Sequence, residues 1–109
     1  MRIKDYQTAS GKNLIKEYLS ALPKTECEIG YHLRHEIVKR GTEALKEFDT
    51  RQIRDKLWEI KFYNKNRIFY VVIPSQAEIY FLHACKKQKG KAEKFELETA
   101  LSRMKEFGL

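Results

Sequence analysis

Hydrophobic residues recur along this chain in two rhythms, and the change from one to the other falls near residue 57. Before it the spacing is helical. Leu14, Ile15, Tyr18, Leu19 and Leu22 repeat every three to four positions, which predicts an amphipathic helix over 12–22. Pro23 stops it. Thr25 with Glu28 three residues on reads as a capping box. Ile29, Leu33 and Ile37 then mark the buried stripe of a second helix, ending near Gly41. Two helices joined at Leu22-Pro23-Lys24 make a helical hairpin. Residues 1–7 alternate weakly, as a short strand that Ser10-Gly11 breaks. Residues 42–55 have only Leu45, Phe48 and Ile53 as strong apolar anchors, so a short turn of helix and a loop are expected.

From Leu57 the period is two. Trp58, Ile60 and Phe62 face one way; Leu57, Glu59, Lys61 and Tyr63 face the other. Asn64-Lys65-Asn66 is a turn. Arg67–Ile73 is a nearly unbroken β-branched and aromatic run, as in a central strand. Pro74-Ser75-Gln76 turns the chain again, and Glu78–Ala84 is a third strand. Lys86–Lys91 reads as a polar loop. Leu97, Ala100, Leu101 and Met104 space a C-terminal helix that ends at Gly108.

The predicted order is β-α-α-β-β-β-α. Helices and strands are segregated, which gives an α+β domain with a mainly antiparallel sheet packed against the helical hairpin. The other sheet face, or one end of it, is then left for Lys61, Arg67 and the Lys86–Lys91 loop. A chain of 109 residues suits one domain, 1–109. It contains no run of about 18 apolar residues, so no membrane partner is expected. Met1 to Asp5 opens no apolar leader core, and the expected address is the cytoplasm.

Charge changes the picture. The net charge is +7, and it is not spread evenly. Between residues 51 and 94 there are eleven cations and four carboxylates; elsewhere the two signs balance at eleven each. The whole excess therefore sits on the strand region and its edges, the footprint expected of a phosphate-binding face. Cys27 and Cys85 fall in separate segments and make no metal pattern, which suits two reduced thiols. Cys85 has a second reading, as a thiol of lowered pKa beside Lys86 and Lys87. His32, His35 and Glu36 form H-x-x-H-E, which offers only two ligands from one helix face, so neither metal nor cofactor is expected.

Four segments then carry a resemblance. Leu57-Trp58-Glu59-Ile60-Lys61-Phe62, Asn66-Arg67-Ile68-Phe69-Tyr70, Leu82-His83-Ala84-Cys85-Lys86-Lys87 and Ala100 through Phe107 together resemble the phage-derived HigB-like branch of the RelE/ParE toxin superfamily. Lys61 stands where that branch has a strand arginine, so the charge is kept and the planar fork lost. The resemblance implies a RelE-like fold. It also implies the toxin of a type II toxin-antitoxin system: a small endoribonuclease that cleaves mRNA, usually on the ribosome, without metal. A cognate helix-turn-helix antitoxin would be its partner. Two rivals stay open: a DNA-gyrase poison of the ParE type, and a phage-derived RNA-binding module without toxicity.

Cleavage of RNA through its own 2′-hydroxyl needs a base, cations on the phosphoryl oxygens and a proton for the leaving oxygen. Arg67 is the first choice for the phosphate, since a guanidinium binds two oxygens at once. Lys61 sits on the neighbouring strand to join it. Lys86 and Lys87 are candidates for a lysine of lowered pKa or for holding substrate. Glu59 reads as an orienter, a base or a structural ion-pair partner. His83 reads as a proton donor or as a buried, hydrogen-bonded histidine. Arg51, Arg54, Lys56, Lys65, Lys89 and Lys91 are the expected RNA-binding fringe. Tyr63, Tyr70 and Tyr80 read as base-stacking or as packing residues.

Overall fold

In a computed structural model that describes residues 1–109, five strands form one mixed sheet with helices on both faces. The strands are β1 (Arg2–Asp5), β2 (Asp49–Arg54), β3 (Leu57–Phe62), β4 (Asn66–Ile73) and β5 (Glu78–Lys86). The helices are α1 (Leu14–Ser20), α2 (Lys24–Arg40), α3 (Thr42–Leu45) and α4 (Lys91–Glu106). Spatial order is β1-β5-β4-β3-β2; β1 runs parallel to β5 and every other pairing is antiparallel. The α+β class and the mainly antiparallel sheet agree with the sequence reading. No helix is long and apolar enough to cross a membrane.

The element order differs in one place. Residues 49–54 are not a loop but the edge strand β2. Its sequence, Asp-Thr-Arg-Gln-Ile-Arg, is polar because an edge strand with little cover has few apolar positions to fill; only Thr50 and Ile53 are half-buried. A register shift between Gln52 and Arg54 further blurs its alternation.

Helix ends differ too. Asn13 caps α1, its Oδ1 accepting from the Lys16 N–H at 2.9 Å. The second helix starts at Lys24, one residue after Pro23, so Thr25 lies inside the first turn and no side chain caps it. The expected capping box is therefore absent: proline already sets the entry, and the threonine arrives too late to be the cap. Gly41, at φ 65°, ends α2 as expected, its N–H reaching Ile37 O at 2.8 Å. Lys86 belongs to β5 and Lys91 to α4, so the loop between them is shorter than the polar run suggested.

Two cores result. Under α1–α3, Ile15, Leu19, Leu33, Ile37 and Ala44 pack on Ile60, Phe62, Ile68, Tyr70, Ile79 and Phe81. On the opposite face, Leu57, Phe69, Val71, Leu82 and Cys85 pack on Ala100, with Leu97, Leu101 and Met104 beside it. The second face was expected to stand open; α4 covers it. A bulge across from Phe69 and Tyr70 turns both Leu82 and His83 toward α4.

The hairpin layer is tight at Gly30. A Cβ there would lie 2.7 Å from Leu19 Cδ2 and 3.4 Å from the Phe62 ring. Leu19 is itself fully buried. Gly30→Ala is expected to cost about 1–3 kcal/mol through this overlap, despite the better helix propensity of alanine. Urea unfolding of the variant checks it; a midpoint equal to wild type would show that Leu19 has room to turn.

Candidate functional site beneath the C-terminal helix

Strand register decides which polar side chains meet on the α4 face. One cross-strand row is Arg51, Glu59, Phe69 and His83; the next is Asp49, Lys61, Arg67 and Cys85. Lys61 and Arg67 are thus direct register partners on neighbouring strands. Lys61 keeps a partly exposed ammonium 3.8 Å from Asp49.

Arg67 does not present an open fork. Its side chain is 1% exposed, and Nη1 and Nη2 donate to the Glu93 carboxylate at 2.6 and 2.9 Å. Its Nε lies 3.0 Å from Glu59 Oε2, and its guanidinium stacks 4.4 Å above the Phe69 ring. Arg51 approaches the other Glu59 oxygen at 3.1 Å. The result is a row of alternating charge, Arg51–Glu59–Arg67–Glu93, closed by a residue from the first turn of α4. Burial alone would lower the Arg67 pKa, but the Glu93 hydrogen bond and the Glu59 charge raise it. The Arg67 bond in turn holds Glu93 below the usual carboxylate range.

Glu59 is the anomaly in this row. It is fully buried, yet neither of its oxygens receives a hydrogen bond of good geometry, and the Arg67 Nε facing it is likewise unmatched. The contacts have ion-pair distance without hydrogen-bond angle. A buried carboxylate held by charge alone is costly, and such groups concentrate where chemistry is done.

His83 stands one strand over. Its Nδ1 lies 3.1 Å from Arg103 Nη1, and its Nε2 lies 2.9 Å from Glu96 Oε2. A guanidinium only donates, so Nδ1 accepts and the ring proton sits on Nε2, aimed at Glu96. Burial lowers the His83 pKa, Arg103 and Arg67 add to this, and Glu96 opposes it. The ring is neutral near pH 7. Cys85 is no activated thiol: burial, then Glu96, push its pKa well up, and the flanking lysines do not set it.

The ligand atoms of His83, Cys85 and Glu96 lie within 4.8 Å of one another. The donor types would suit zinc. A metal-bound histidine, however, donates from its second nitrogen, and here that nitrogen accepts from Arg103. Two guanidiniums also flank the group. These residues fit a hydrogen-bonded cluster better than a metal centre.

The remaining expected residues divide. Lys86 lies on the hairpin face, opposite Arg67. Its Nζ donates to Asn66 Oδ1 at 2.7 Å and to Glu26 at 3.1 Å, and Tyr18 OH donates to the same Asn66 oxygen at 2.6 Å. It ties β5 to α1 and α2 rather than joining the Arg67 row. Lys87 is exposed, and its charge helps lower the Glu93 pKa. Lys65 meets Lys87 through a 2.7 Å backbone bond, with Lys89 and Lys91 following at that end of the sheet. Arg54 and Lys56 lie at the opposite end, at the β2–β3 turn. The single basic face expected from the sequence is therefore two basic ends joined by the Arg51–Lys61–Arg67 region. Tyr70 is core and Tyr80 packs on Phe107 at 4.9 Å; of the three tyrosines only Tyr63 is open. His32 and His35 are exposed on α2.

Sequence reasoning missed Glu93, Glu96 and Arg103. Their signal was present: they share a helical stripe with Ala100, and a stripe that turns from apolar to acidic toward its N-terminal end marks a helix seated over cations.

Acidification should loosen this layer. As the pH falls through the ordinary histidine value of 6.5, the unfolded chain takes up a proton before buried His83 does. Below the ordinary carboxyl value of 4.5, Glu93 adds a loss of the same sign, because its folded pKa is depressed. Both shifts remove stability as the pH drops. Urea midpoints measured from neutral pH down to about 4 are expected to fall throughout that range; a flat profile above the carboxyl range would contradict the buried neutral histidine.

Residues 17–105 match the family model described as phage-derived protein Gp49-like. No curated protein matches the chain.

Proposed function

We propose, because this chain belongs to the phage-derived Gp49-like family and seats a buried guanidinium, Arg67, beneath the first turn of its C-terminal helix, that it is the toxin of a type II toxin-antitoxin pair. In this reading it is an endoribonuclease acting on mRNA, with the ribosome as its expected setting, and a helix-turn-helix antitoxin neutralises it. The observation that carries the reading is the Arg67–Glu93 pair. A bidentate carboxylate occupies the guanidinium in the geometry that two phosphate oxygens would take.

Catalysis then begins with the first turns of α4 lifting Glu93 away. A phosphodiester takes its place on the Arg67 fork, with Lys61 as the second cation. Glu59, which faces the Arg67 Nε and not the fork, accepts the proton of the 2′-hydroxyl once the lifted helix uncovers it. The 2′-oxygen bonds to phosphorus, the P–O5′ bond breaks, and the leaving 5′-oxygen takes a proton, for which the partly exposed Lys61 ammonium is the candidate; neutral His83, with one ring proton held toward Glu96, is not the donor its sequence position suggested. The products are a 2′,3′-cyclic phosphate and a 5′-hydroxyl. Stabilising the phosphorane by positioned cations is the largest expected contribution.

Primer-extension mapping of transcripts after induction tests this. New mRNA ends that vanish in an Arg67 variant are expected. Gyrase inhibition without new ends would replace this reading by the gyrase-poison one. Normal growth on induction would leave only an RNA-binding module.

A further inference from the structure

The hairpin layer stops short of one corner of its sheet face. Beyond α3, Trp58, Tyr70 and Val72 continue that face and border a cavity of about 410 Å³ with Leu45, Thr42, Thr50, Lys46 and Lys56. This falls within the usual range of about 300–1,000 Å³ for ligand sites. Trp58 is 36% exposed there, although the core beside it is closed. No carboxylate lines the cavity. Lys46 is shared with Glu43 at 3.1 Å, whereas Lys56 is exposed and enters no ion pair. Burial pushes the Tyr70 hydroxyl up to about 12, so it remains a donor at neutral pH.

An occupant matching this lining has a flat apolar part, a negative charge and hydrogen-bond acceptors. We propose that the cavity holds one nucleotide of single-stranded RNA, with its base against Trp58 and its phosphate at Lys56. Aromatic faces beside ammonium groups bind single strands in this way, without reading sequence. The corner lies at the β2–β3 end of the sheet, and Arg54 and Arg51 on edge strand β2 lead from it toward Lys61 and Arg67 on the other face. A strand that crosses this edge would be gripped on both sides. This inference rests on the RNA reading above.

Trp58 is the only tryptophan in the chain, so intrinsic tryptophan fluorescence reports on this corner alone. The test titrates the full chain with a short 2′-O-methylated oligoribonucleotide, which cannot be cleaved, and follows cleavage of unmodified RNA in parallel. Saturable quenching is expected. Lys56→Gln, an exposed position, should weaken it and reduce the salt slope of binding by about 0.7. Quenching without any cleavage would support the cavity and sink the nuclease. Cleavage with unchanged Trp58 emission, while a labelled oligonucleotide shows binding, would overturn the cavity and leave the nuclease standing. Quenching by an acidic amphipathic peptide but not by the oligonucleotide would also overturn it, in favour of a protein partner.

Discussion

Arg67→Ala is expected to abolish RNA cleavage and to lower the unfolding free energy by about 3–5 kcal/mol, because it strands a buried charge. Glu59 is fully buried, and the Arg67 guanidinium is one of only two cations that face it. Loss of activity in the alanine variant alone would thus be ambiguous. The pair Glu59→Leu with Arg67→Leu resolves it. Replacing a buried ion pair by apolar side chains is often neutral or stabilising, so the double variant should regain most of the stability and none of the activity. Denaturant midpoints and RNA cleavage measured on all three proteins give the answer. A folded, fully active double variant would remove Arg67 from the chemistry.

Glu93→Gln should act in the opposite direction. It keeps the side-chain shape and removes the negative charge that competes with a phosphate for Arg67. Weakening the closed state by about 1.4 kcal/mol makes the open state about ten times more populated, and the apparent affinity for RNA rises by the same factor. Cleavage of single-stranded RNA is expected to rise about tenfold, with a small loss of stability. Reduced cleavage in a folded Glu93→Gln protein would mean that the carboxylate takes part in the reaction and does not plug it.

Much of this was legible in the residues. The helical stripes of α1, α2 and α4, the two-residue period of β3 and the unbroken apolar run of β4 follow from which side chains must leave water. The pairing of Lys61 with Arg67 follows from strand parity and a short turn. Three features were hidden for separate reasons. Strand β2 is an uncovered edge, and an edge needs almost no hydrophobic pattern. Cover of the second face by α4 depends on where a helix docks after its loop, which local spacing does not encode. The burial of Arg67 depends on Glu93, a residue twenty-six positions away. Charge counting saw a cation there and had no means of seeing its partner. The same limit misplaced Lys86, whose neighbours on the chain are not its neighbours in space.

The irregularity at Leu82 and His83 has a consequence for length variation. One additional residue, Leu82, stands between the partners of Tyr70 and Phe69, so the count along β5 slips by one while Arg67 stays opposite Cys85 and Asn66 opposite Lys86. Removing that residue would restore a regular strand and leave the thiol in the α4 layer and the lysine in the other. What would be lost is the apolar side chain that Leu82 buries beneath α4. A homologue one residue shorter at this point would keep its cation cluster and hold its C-terminal helix by one anchor fewer.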